Sequence, residues 1–308
     1  MNQRKKKGRP VSGWLILDKP LGMTSTQAVS VVKRLFGAQK AGHAGTLDPL
    51  ATGCLPIALG EATKTVPYVM DGRKIYGFTV RWGEETTTDD AEGQTVALSD
   101  ARPTRAAIEA LLPEFTGEIM QTPPAFSAIK IDGERAYDLA RDGEEVVLEA
   151  RPIQVHRLEL VDMPDENTAV FAAECGKGTY VRALARDMGR RLGVRGHVVN
   201  LRRLLVGPFD EASMVKLDDL RAEHEETGSE GCDRWMQPVE RALAELTELR
   251  LSENDAFRIR NGQSVLLRGR DAPAHGETCY ATVGGSLLAI GAVERGEFQP
   301  LRVFVGDV

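Results

Sequence analysis

The hydrophobic positions along the chain repeat with two different periods, which predict a mixture of strands and helices. In "KIYGFTVRW", residues 74–82, they alternate with polar positions, which predicts one buried strand face made of Tyr76, Phe78, Val80 and Trp82. In "TSTQAVSVVKRLFG", residues 24–37, they recur at helical spacing after a Thr or Ser cap, and Gly37 ends the segment. The second pattern therefore predicts a helix.

Further elements follow from the same two patterns. Strands are predicted at "GWLILD", "AFSAIK", "IQVHRLEL" and "TAVFAAEC", and helices at "EATKTVPYVM", "TRAAIEALL" and "TYVRALARDMGRRLG". Two polar stretches are predicted to be exposed connections, the loop "GEETTTDDAEGQ" (residues 83–94) and the linker "AEHEETGSEG" (residues 222–231). From about Leu249 the chain shows short alternating runs bounded by glycine, such as "LLAIGAV". This order predicts an α+β chain with a smaller, β-rich terminal domain.

Composition places the chain among soluble globular proteins. Its 308 residues suffice for one large domain or two unequal ones, and its 42% hydrophobic and 27% charged residues are ordinary for that class. No stretch approaches the roughly 20 apolar residues that a membrane-spanning helix needs. The basic start, "MNQRKKKGRP", lacks the apolar segment of a secretory signal. We therefore expect a cytoplasmic protein without membrane attachment.

The spacing of the histidines and cysteines indicates neither a metal site nor a disulfide framework. The five histidines form no HExxH pattern. A disulfide framework is unusual in a chain of this length, and no CxxC pair occurs among the cysteines, which are Cys54, Cys175, Cys232 and Cys279. We expect no metal site.

The distribution of charge changes the picture that the net charge suggests. The 39 basic and 45 acidic residues sum to −6, which argues weakly against a nucleic-acid partner. Residues 175–206, however, carry eight Lys or Arg and one acid, a local balance of +7. Such a patch attracts a polyanion, and a solvated charged helix is the alternative. Arg182, Arg186 and Arg190 share one side of the predicted helix, and we hypothesise that the positive patch of residues 177–203, including Arg186 and Arg190, grips a phosphate backbone.

The loop "AGHAGTLDPLATG", residues 41–53, sets a single carboxylate, Asp48, among three glycines. The ring of Pro49 drives the preceding residue out of the α region, so Asp48 can simply begin a turn and hydrogen-bond its own backbone. The alternative is a functional carboxylate in a pliable loop, since glycine lets a backbone approach a ligand closely. Taken alone, the Leu-Asp-Pro pattern favours the turn.

Six blocks of sequence resemble the TruB family, the bacterial tRNA pseudouridine-55 synthases, in the family's own order. The match as a whole covers nearly all of residues 11–210, and the blocks read "LDKPLGMTS", "AGHAGTLDPLATG", "LGEATK", "KIYGF", "TPPAFSAIK" and "CGKGTYVRALARDMG". The terminal residues resemble a PUA-type RNA-binding module, chiefly through "AFRIRNGQSV". The resemblance implies a mixed, mainly antiparallel sheet in a catalytic core of pseudouridine-synthase type. It also implies a basic disordered tail at 1–10, a catalytic domain at 11–230 and a PUA-like domain at 231–308.

The resemblance implies an isomerisation that needs no cofactor. The N-glycosidic bond of one T-loop uridine in tRNA breaks, and the base turns while it is held and is rejoined through carbon. The base must first be extruded from the folded loop. Asp48 matches the family's catalytic aspartate, and Arg182 matches the cation that keeps a shielded carboxylate charged. Whether Asp48 attacks the sugar C1′, attacks the base C6 or draws a proton from C2′ stays open.

Four residues match substrate-contacting positions of the family. Tyr76 matches the aromatic that stacks on the target base, and it is a candidate base for the C5 proton; a core aromatic is the alternative. His43 matches the ring that fills the space of the extruded base, although a lone histidine is more often structural. Tyr180 and Leu201 match positions that line the substrate pocket.

Two further matches lie at the edge of the site. Lys19 and Pro20 match a family motif that we interpret as support for the catalytic loop. Gly176 stands where many relatives have serine, and this departure affects a minor hydrogen bond rather than the chemistry.

Two other function classes share these features. A non-catalytic RNA-binding or RNA-chaperone protein would use the same basic helix and terminal module, but Asp48, Tyr76 and Arg182 are all present. A guide-RNA-dependent synthase of the archaeal and eukaryotic type normally carries extensions for partner proteins, and this chain looks self-contained. We therefore expect a monomer that acts on the T arm of tRNA without an obligate protein partner.

Overall fold

The structure is a computed structural model that describes residues 8–127, 129–131, 134–137, 146, 148–267 and 273–304. Its helices are α1 (Ser25–Leu35), α2 (Val66–Asp71), α3 (Arg105–Leu111), α4 (Val181–Leu192), α5 (Leu217–Gly231) and α6 (Glu253–Arg260). Its strands are β1 (Gly13–Lys19), β2 (Ala41–His43), β3 (Ala51–Leu59), β4 (Lys74–Trp82), β5 (Glu84–Thr86), β6 (Thr95–Leu98), β7 (Gly117–Gln121), β8 (Lys130–Ile131), β9 (Glu134–Arg135), β10 (Arg151–Asp165), β11 (Thr168–Cys175), β12 (Gly196–Val206), β13 (Val215–Lys216), β14 (Thr247–Arg250), β15 (Val265–Leu266), β16 (Thr278–Val283), β17 (Ser286–Glu294) and β18 (Glu297–Val303).

A large, mixed sheet forms the centre of the larger part of the chain. Its strand order is β13-β1-β3-β12-β4-β11-β10-β7, and β2 pairs with β3 on the edge opposite β1. The pairs β1–β13 and β12–β3 are parallel, whereas the remaining neighbours are antiparallel. A smaller sheet with the order β14-β16-β17-β18-β15 forms the terminal domain. The α+β fold with a mainly antiparallel core sheet is therefore confirmed; the PUA type of the terminal domain stays a prediction.

The strongest periodic segments fold as their patterns predict. In β4 the side chains of Phe78, Val80 and Trp82 are buried on one face. Helix α1 begins after Thr24, whose hydroxyl accepts from the backbone N–H of Gln27 at 3.1 Å in a reciprocal capping box. Strong local signals and burial agree in these elements, which is why the sequence alone locates them.

Four of the weaker predictions are wrong, in whole or in part. The linker at 222–231 lies inside helix α5, which is interrupted at Gly228. The segment 61–70 divides into a 3-10 turn (Gly60–Lys64) and α2, because Pro67 lacks an N–H and suits a helix start. Residues 125–127 of the predicted strand "AFSAIK" form bends rather than a strand, and residue 128 lies outside the described residues. The acidic stretch 83–94 contains β5 and is partly buried, as the site geometry below explains.

Residues 232–246 pack on the part of the chain that contains the large sheet, although the sequence predicts them in the terminal domain. Gln237 exchanges two backbone hydrogen bonds of 2.8 Å with Trp14 on β1. Val239 and Leu243 share one buried cluster with Trp14. Leu287, Ile290 and Phe304 of the terminal sheet join the same cluster, so the two parts of the chain share a hydrophobic contact.

Arg9 is anchored to the core, although the sequence predicts a disordered tail over residues 1–10. Its Nη2 lies 2.6 Å from Asp233 Oδ2, and its Nη1 donates to the Ser229 carbonyl oxygen at 2.8 Å. Residues 1–7 lie outside the described residues. The tail prediction therefore does not hold for Arg9.

This packing predicts where the chain tolerates truncation. A chain that ends at Leu246 keeps the 232–246 segment, whereas one that ends at Gly231 loses the backbone pairing of Trp14 and four buried side chains: Cys232, Val239, Ala242 and Leu243. Burial of one large aliphatic side chain contributes roughly 1.5–3 kcal/mol, against about 5–15 kcal/mol for a whole domain. We expect the shorter chain to aggregate, or to melt roughly 10 °C or more below the longer one.

Thermal melts of the two truncated chains, followed by circular dichroism, test this prediction. Equal melting temperatures would show that the 232–246 segment does not stabilise the core.

Candidate active site

Asp48 lies in the loop between β2 and β3, and the residues on either side of it are tied to the chain elsewhere. The Ser25 hydroxyl, at the start of α1, accepts from the Leu47 N–H at 2.8 Å and donates to the Leu47 carbonyl at 3.0 Å. The Pro49 carbonyl accepts from the Gly22 N–H at 2.8 Å. The Asp48 side chain remains 36% exposed. The loop therefore holds its backbone firmly and leaves the carboxylate accessible.

Lys19, at the end of β1, is fully buried and supports the same loop. Its Nζ donates to the carbonyl oxygens of Met23 at 2.6 Å, Pro20 at 3.0 Å and Pro49 at 3.4 Å. Burial lowers the pKa of its ammonium from 10.5 to about 8, and the neighbouring Asp48 charge opposes this shift. These contacts fit the supporting role that the family motif implies.

Arg182, in the first turn of α4, pairs with Asp48. Its Nε lies 2.9 Å from Asp48 Oδ2, and the arginine side chain is only 5% exposed. Its Nη1 donates to the Thr88 carbonyl at 2.7 Å and lies 3.5 Å from Asp90 Oδ2, while its Nη2 donates to the Phe126 carbonyl at 2.9 Å. The cation thus lies between an exposed and a buried carboxylate, rather than in solvent.

The acidic stretch 83–94 packs against α4 and is not the solvent loop that its composition predicts. Glu85, Asp89 and Asp90 are 6%, 6% and 2% exposed. Arg186 Nη1 lies 2.9 Å from Asp89 Oδ2, and Arg190 Nη2 lies 2.5 Å from Glu85 Oε1. Burial raises the pKa of Asp89 to about 6 and outweighs the opposite effect of the neighbouring arginines. The acids and arginines therefore neutralise each other inside the chain.

The same neutralisation extends over most of the basic segment 175–206. Its ion pairs are Lys177–Asp71, Arg191–Glu114, Arg195–Glu85, Arg202–Asp18 and Arg202–Glu211, in addition to the three arginines of α4 described above. Arg186, whose side chain is 8% exposed and paired with Asp89, is therefore used inside the fold rather than on a phosphate-binding surface. For Arg190, which is 49% exposed, and for the rest of the patch 177–203, the hypothesis stays a prediction.

Strand β12 brings Leu201 and Tyr76 next to the Asp48 loop. Leu201, 6% exposed, lies opposite Ala51 of β3 and opposite Phe78 of β4. Tyr76 lies on β4, directly opposite Arg203 of β12, and is half-buried. Burial raises the pKa of the Tyr76 phenol above 10, and the nearby Arg203 cation opposes this shift. A phenol that stays neutral at pH 7 suits stacking better than proton removal.

Tyr180 directly precedes α4 and is fixed by its backbone. Its N–H donates to Gln121 Oε1 at 2.9 Å, and its carbonyl accepts from Gln121 Nε2 at 3.1 Å. The Arg151 guanidinium lies 5.3 Å from the centre of the Tyr180 ring, within the range of a cation–π contact. The ring therefore has a defined position two residues before Arg182.

His43 ends β2, where it lies opposite Ile57 of β3 and is half-buried. Of the residues predicted from the sequence, Asp48 and Arg182 are in direct contact. Tyr76 lies on β4, Leu201 lies on the adjacent strand β12, and Tyr180 directly precedes α4. The position of His43, five residues before Asp48, is set by the short β2–β3 pairing.

Sequence reasoning misses four residues that shape this site: Ser25, Asp90, Gln121 and Arg203. One signal was available for Asp90, because an acidic run complements arginines that recur every four positions on a helix. The contacts of Ser25, Gln121 and Arg203 join distant parts of the chain, and their partners are largely backbone atoms. No pattern in the sequence predicts such contacts.

The described residues offer neither a metal cluster nor a reactive thiol. Within them, no group of three or more His, Cys, Asp or Glu is arranged to hold a metal ion. All four cysteines are buried and free, and burial raises the pKa values of Cys54 and Cys175 to about 12. Nor is any helix in this part of the chain long and apolar enough to cross a membrane. The Asp48–Arg182 pair is therefore the centre of the candidate chemistry.

Two arginines of α4 provide a test of the internal ion pairs. Arg186 and its partner Asp89 each have side chains 8% exposed, whereas Arg191 and its partner Glu114 are 63% and 50% exposed. Breaking a buried pair costs about 3–5 kcal/mol because a charge stays buried without its partner, whereas an exposed pair contributes about 0–1 kcal/mol. Urea denaturation should therefore show a large loss of stability for Arg186→Ala and a small one for Arg191→Ala. Similar losses in both variants would contradict the internal role of Arg186.

Lys19 makes stability depend on pH in the alkaline range. Between about pH 8 and pH 10.5 the unfolded chain keeps the Lys19 proton and the folded chain releases it, so the free energy of unfolding rises with pH. Lys19→Met removes this contribution. Its free energy of unfolding, measured by urea denaturation, should therefore rise less with pH than that of the unmodified chain. Burial also lowers the pKa of Lys74 to about 8, so Lys74 contributes equally to the rise in both chains. The exposed Lys33→Met is the control, and an equal rise in all three chains would contradict the prediction.

Comparisons with known proteins agree with this geometry. Residues 33–181 match the TruB family pseudouridylate synthase (N terminal domain), and residues 182–244 match the tRNA pseudouridylate synthase B C-terminal domain. The chain is 63% identical over 305 residues to a tRNA pseudouridine synthase B of Bradyrhizobium diazoefficiens, covering 98% of this chain and 88% of the relative. It is 61% identical over 305 residues to that of Agrobacterium fabrum, covering 98% and 97%.

A solved structure has a similar fold. The "Crystal Structure of a Cbf5-Nop10-Gar1 Complex" aligns with a TM-score of 0.73 at 25% identity, covering 95% of this chain and 84% of that chain. The family matches, the two close relatives and the Asp48–Arg182 pair in the expected loop and helix lead to one conclusion: the chain belongs to the TruB family of pseudouridine synthases.

Proposed function

We propose that this chain isomerises uridine 55 in the T loop of tRNA to pseudouridine, with Asp48 as the catalytic carboxylate. The observation that carries the proposal is the buried Arg182 guanidinium 2.9 Å from an accessible Asp48 carboxylate. Family membership supports the reaction class, and the close relatives are tRNA pseudouridine synthases B by name. No cofactor enters the reaction, because it is an isomerisation with no net change in oxidation.

The reaction exchanges one bond to the sugar for another. The C1′–N1 bond breaks and a C1′–C5 bond forms, while C5 loses its proton and N1 gains one. An ionised carboxylate can begin this exchange by attacking C1′, by attacking C6 or by removing a proton from C2′. All three routes need a negative charge close to the ribose and the base, and Arg182 provides the opposite charge that favours it there.

The remaining pocket residues act on the base rather than on the bond. Tyr76 presents a half-buried aromatic ring on β4, which suits stacking on the extruded uracil. Leu201 and Tyr180 supply apolar surface beside the Asp48 loop and before α4. His43 ends the strand that leads into the loop, so its ring can occupy the space that the base vacates in the T loop.

The free site is open, and the substrate completes it. The Asp48 side chain is 36% exposed, whereas its partner Arg182 is 5% exposed. The extruded nucleotide would cover the carboxylate and exclude water at the moment of reaction, which strengthens the charge interactions within the site. We infer from this that substrate binding and shielding of Asp48 are the same event.

The chain acts on tRNA alone in this proposal, as a monomer in the cytoplasm. The similar solved structure contains Cbf5 together with Nop10 and Gar1. Activity of the purified chain on unmodified tRNA, without guide RNA or added protein, separates the proposed activity from a guide-dependent one. Pseudouridine mapping on the product identifies the modified position.

Asp48→Asn provides the decisive variant. The amide keeps the size of the side chain but can neither attack nor stabilise a positive sugar, so the rate of pseudouridine formation should fall by roughly 10³-fold or more. If Asp48 only began a turn, Asn would serve nearly as well. Single-turnover pseudouridine formation and equilibrium tRNA binding are measured together, and binding should remain within about threefold because the aromatic and apolar contacts persist.

Asp233→Asn is a matched control. Asp233 is also 36% exposed and pairs with an arginine, Arg9, at 2.6 Å, but it lies at the anchored N-terminal segment. Its replacement should leave the rate unchanged. Substantial turnover by Asp48→Asn, free of unmodified enzyme, would return Asp48 to a turn-forming role.

A further inference from the structure

Arg203 is a buried cation whose hydrogen-bond partners are backbone carbonyls. It is 2% exposed and lies on β12 among the largest fully buried side chains of the protein. Its Nε donates to the Cys54 carbonyl at 2.8 Å, its Nη2 to the Gly45 carbonyl at 3.0 Å and its Nη1 to the Thr46 carbonyl at 3.3 Å. Burying a charge is costly unless it is well hydrogen-bonded, so these three contacts define where the guanidinium lies.

The three carbonyls belong to the two sides of the Asp48 loop. Gly45 and Thr46 precede Asp48 by three and two positions, and Cys54 follows it on β3. One planar guanidinium therefore joins the incoming and the outgoing backbone of the loop. Its donors have a fixed relative geometry, so the separation of the two sides is fixed with them.

Arg203 also faces the proposed stacking residue. Its backbone position is directly opposite Tyr76 in the antiparallel β12–β4 pair. Directly opposite residues of an antiparallel pair project to the same face of the sheet, so the Arg203 and Tyr76 side chains are cross-strand neighbours. The side chain that holds the carrier of the proposed catalytic carboxylate is thus next to the ring proposed to hold the base.

Two glycines of the loop make room for this arrangement. Gly53 has φ +93, and a Cβ on it would lie 2.2 Å from the Arg203 carbonyl oxygen. Gly45 has φ +101, and a Cβ on it would lie 3.4 Å from Arg203 Nη1. From the sequence alone, the glycines of the loop are explained by the close approach of a ligand to the backbone. At Gly53 the backbone of strand β12 leaves no room for a side chain, and at Gly45 a methyl group would be in contact with the Arg203 guanidinium.

We propose that Arg203 is a positioning residue, which sets the distance between the Asp48 carboxylate and the Tyr76 ring by holding both sides of the Asp48 loop from the position on β12 that lies opposite Tyr76. The inference rests on the proposed function. Its physical basis is that the carboxylate must meet the sugar while the ring holds the base, and a misplacement of about 1 Å costs on the order of 10²-fold in rate. A lysine at this position has one point-like ammonium and cannot reproduce the planar fork.

Arg203→Lys tests the proposal, and Arg102→Lys is its matched control. Arg102 also donates to backbone carbonyls, those of Ser99 and Ala101, both at 2.9 Å. It likewise fills the space beside a glycine of positive φ, Gly83. Its Nε donates to the Asn167 side-chain oxygen at 2.6 Å, and within the described residues none of its hydrogen bonds reaches the Asp48 loop or Tyr76. A structural arginine and a positioning arginine are thereby compared with the same substitution.

The measurements are the melting temperature, the dissociation constant for tRNA and the single-turnover rate at saturating enzyme, well below the melting temperature. We expect both variants to lose thermal stability. Arg203→Lys should also lose roughly 10- to 100-fold in single-turnover rate with tRNA binding within about threefold, whereas Arg102→Lys keeps the normal rate. A rate of Arg203→Lys within threefold of the unmodified chain would overturn the proposal.

A second pair of variants approaches the same contact from the loop, in case Arg203→Lys fails to fold. Gly45→Ala brings a methyl group against the Arg203 guanidinium, whereas Gly193→Ala, at φ +72, meets open space at the end of α4. Both substitutions place alanine at a positive φ and cause a similar backbone strain. Only Gly45→Ala should lower the single-turnover rate about tenfold or more in folded protein. Equal rates for these two variants would also overturn the proposal.

Failure of this inference is distinguishable from failure of the proposed function. If the unmodified chain makes no pseudouridine on tRNA, the proposed function is wrong and the assignment of Arg203 falls with it. If the unmodified chain is active and Asp48→Asn is inactive, normal rates for Arg203→Lys or Gly45→Ala overturn the positioning role alone.

Discussion

The guanidinium of Arg182 is almost completely removed from water, and its charge is balanced by Asp48 on one side and Asp90 on the other. Removal of such an ion from water costs several kcal/mol unless its donors and its charge are satisfied. The carbonyls of Thr88 and Phe126 satisfy two of its donors. This requirement explains why an acidic loop, a connection after β7 and the Asp48 loop all meet at the first turn of α4.

The same need to balance charge explains where the cations of the basic segment lie. A run of eight cations and one acid at 175–206 has the composition of a nucleic-acid surface, yet its cations mostly face carboxylates of the same chain. Arginine suits this role because its planar, weakly hydrated cation makes several directed hydrogen bonds at once. Local charge therefore indicates which elements must meet in the fold, and it says less about which surface meets a phosphate backbone.

The helices and strands with strong periods could be predicted from the sequence, as α1, β4 and α4 show, because apolar spacing and burial coincide there. The Asp48–Arg182 pair could also be predicted, because both residues lie in distinctive blocks. The burial of 83–94 and the helix at 222–231 could not, since polar composition resembles a loop until charged partners or a core surface are known. Arg203 was equally hidden, because its partners are carbonyl oxygens that every residue possesses.

Within the site, exposure separates the groups that hold the fold from the group proposed to carry the chemistry. Asp90, Lys19 and Arg203 are buried, and each holds another part of the chain in place. Asp48 is 36% exposed, and Arg182 retains Asp90 and two carbonyls even without it. A carboxylate that the fold could spare is nevertheless held by contacts at Leu47, Pro49, Gly45 and Thr46. A loop that only reversed the chain direction would not need its backbone fixed at so many points, so the anchoring itself argues that the position of Asp48 serves the reaction.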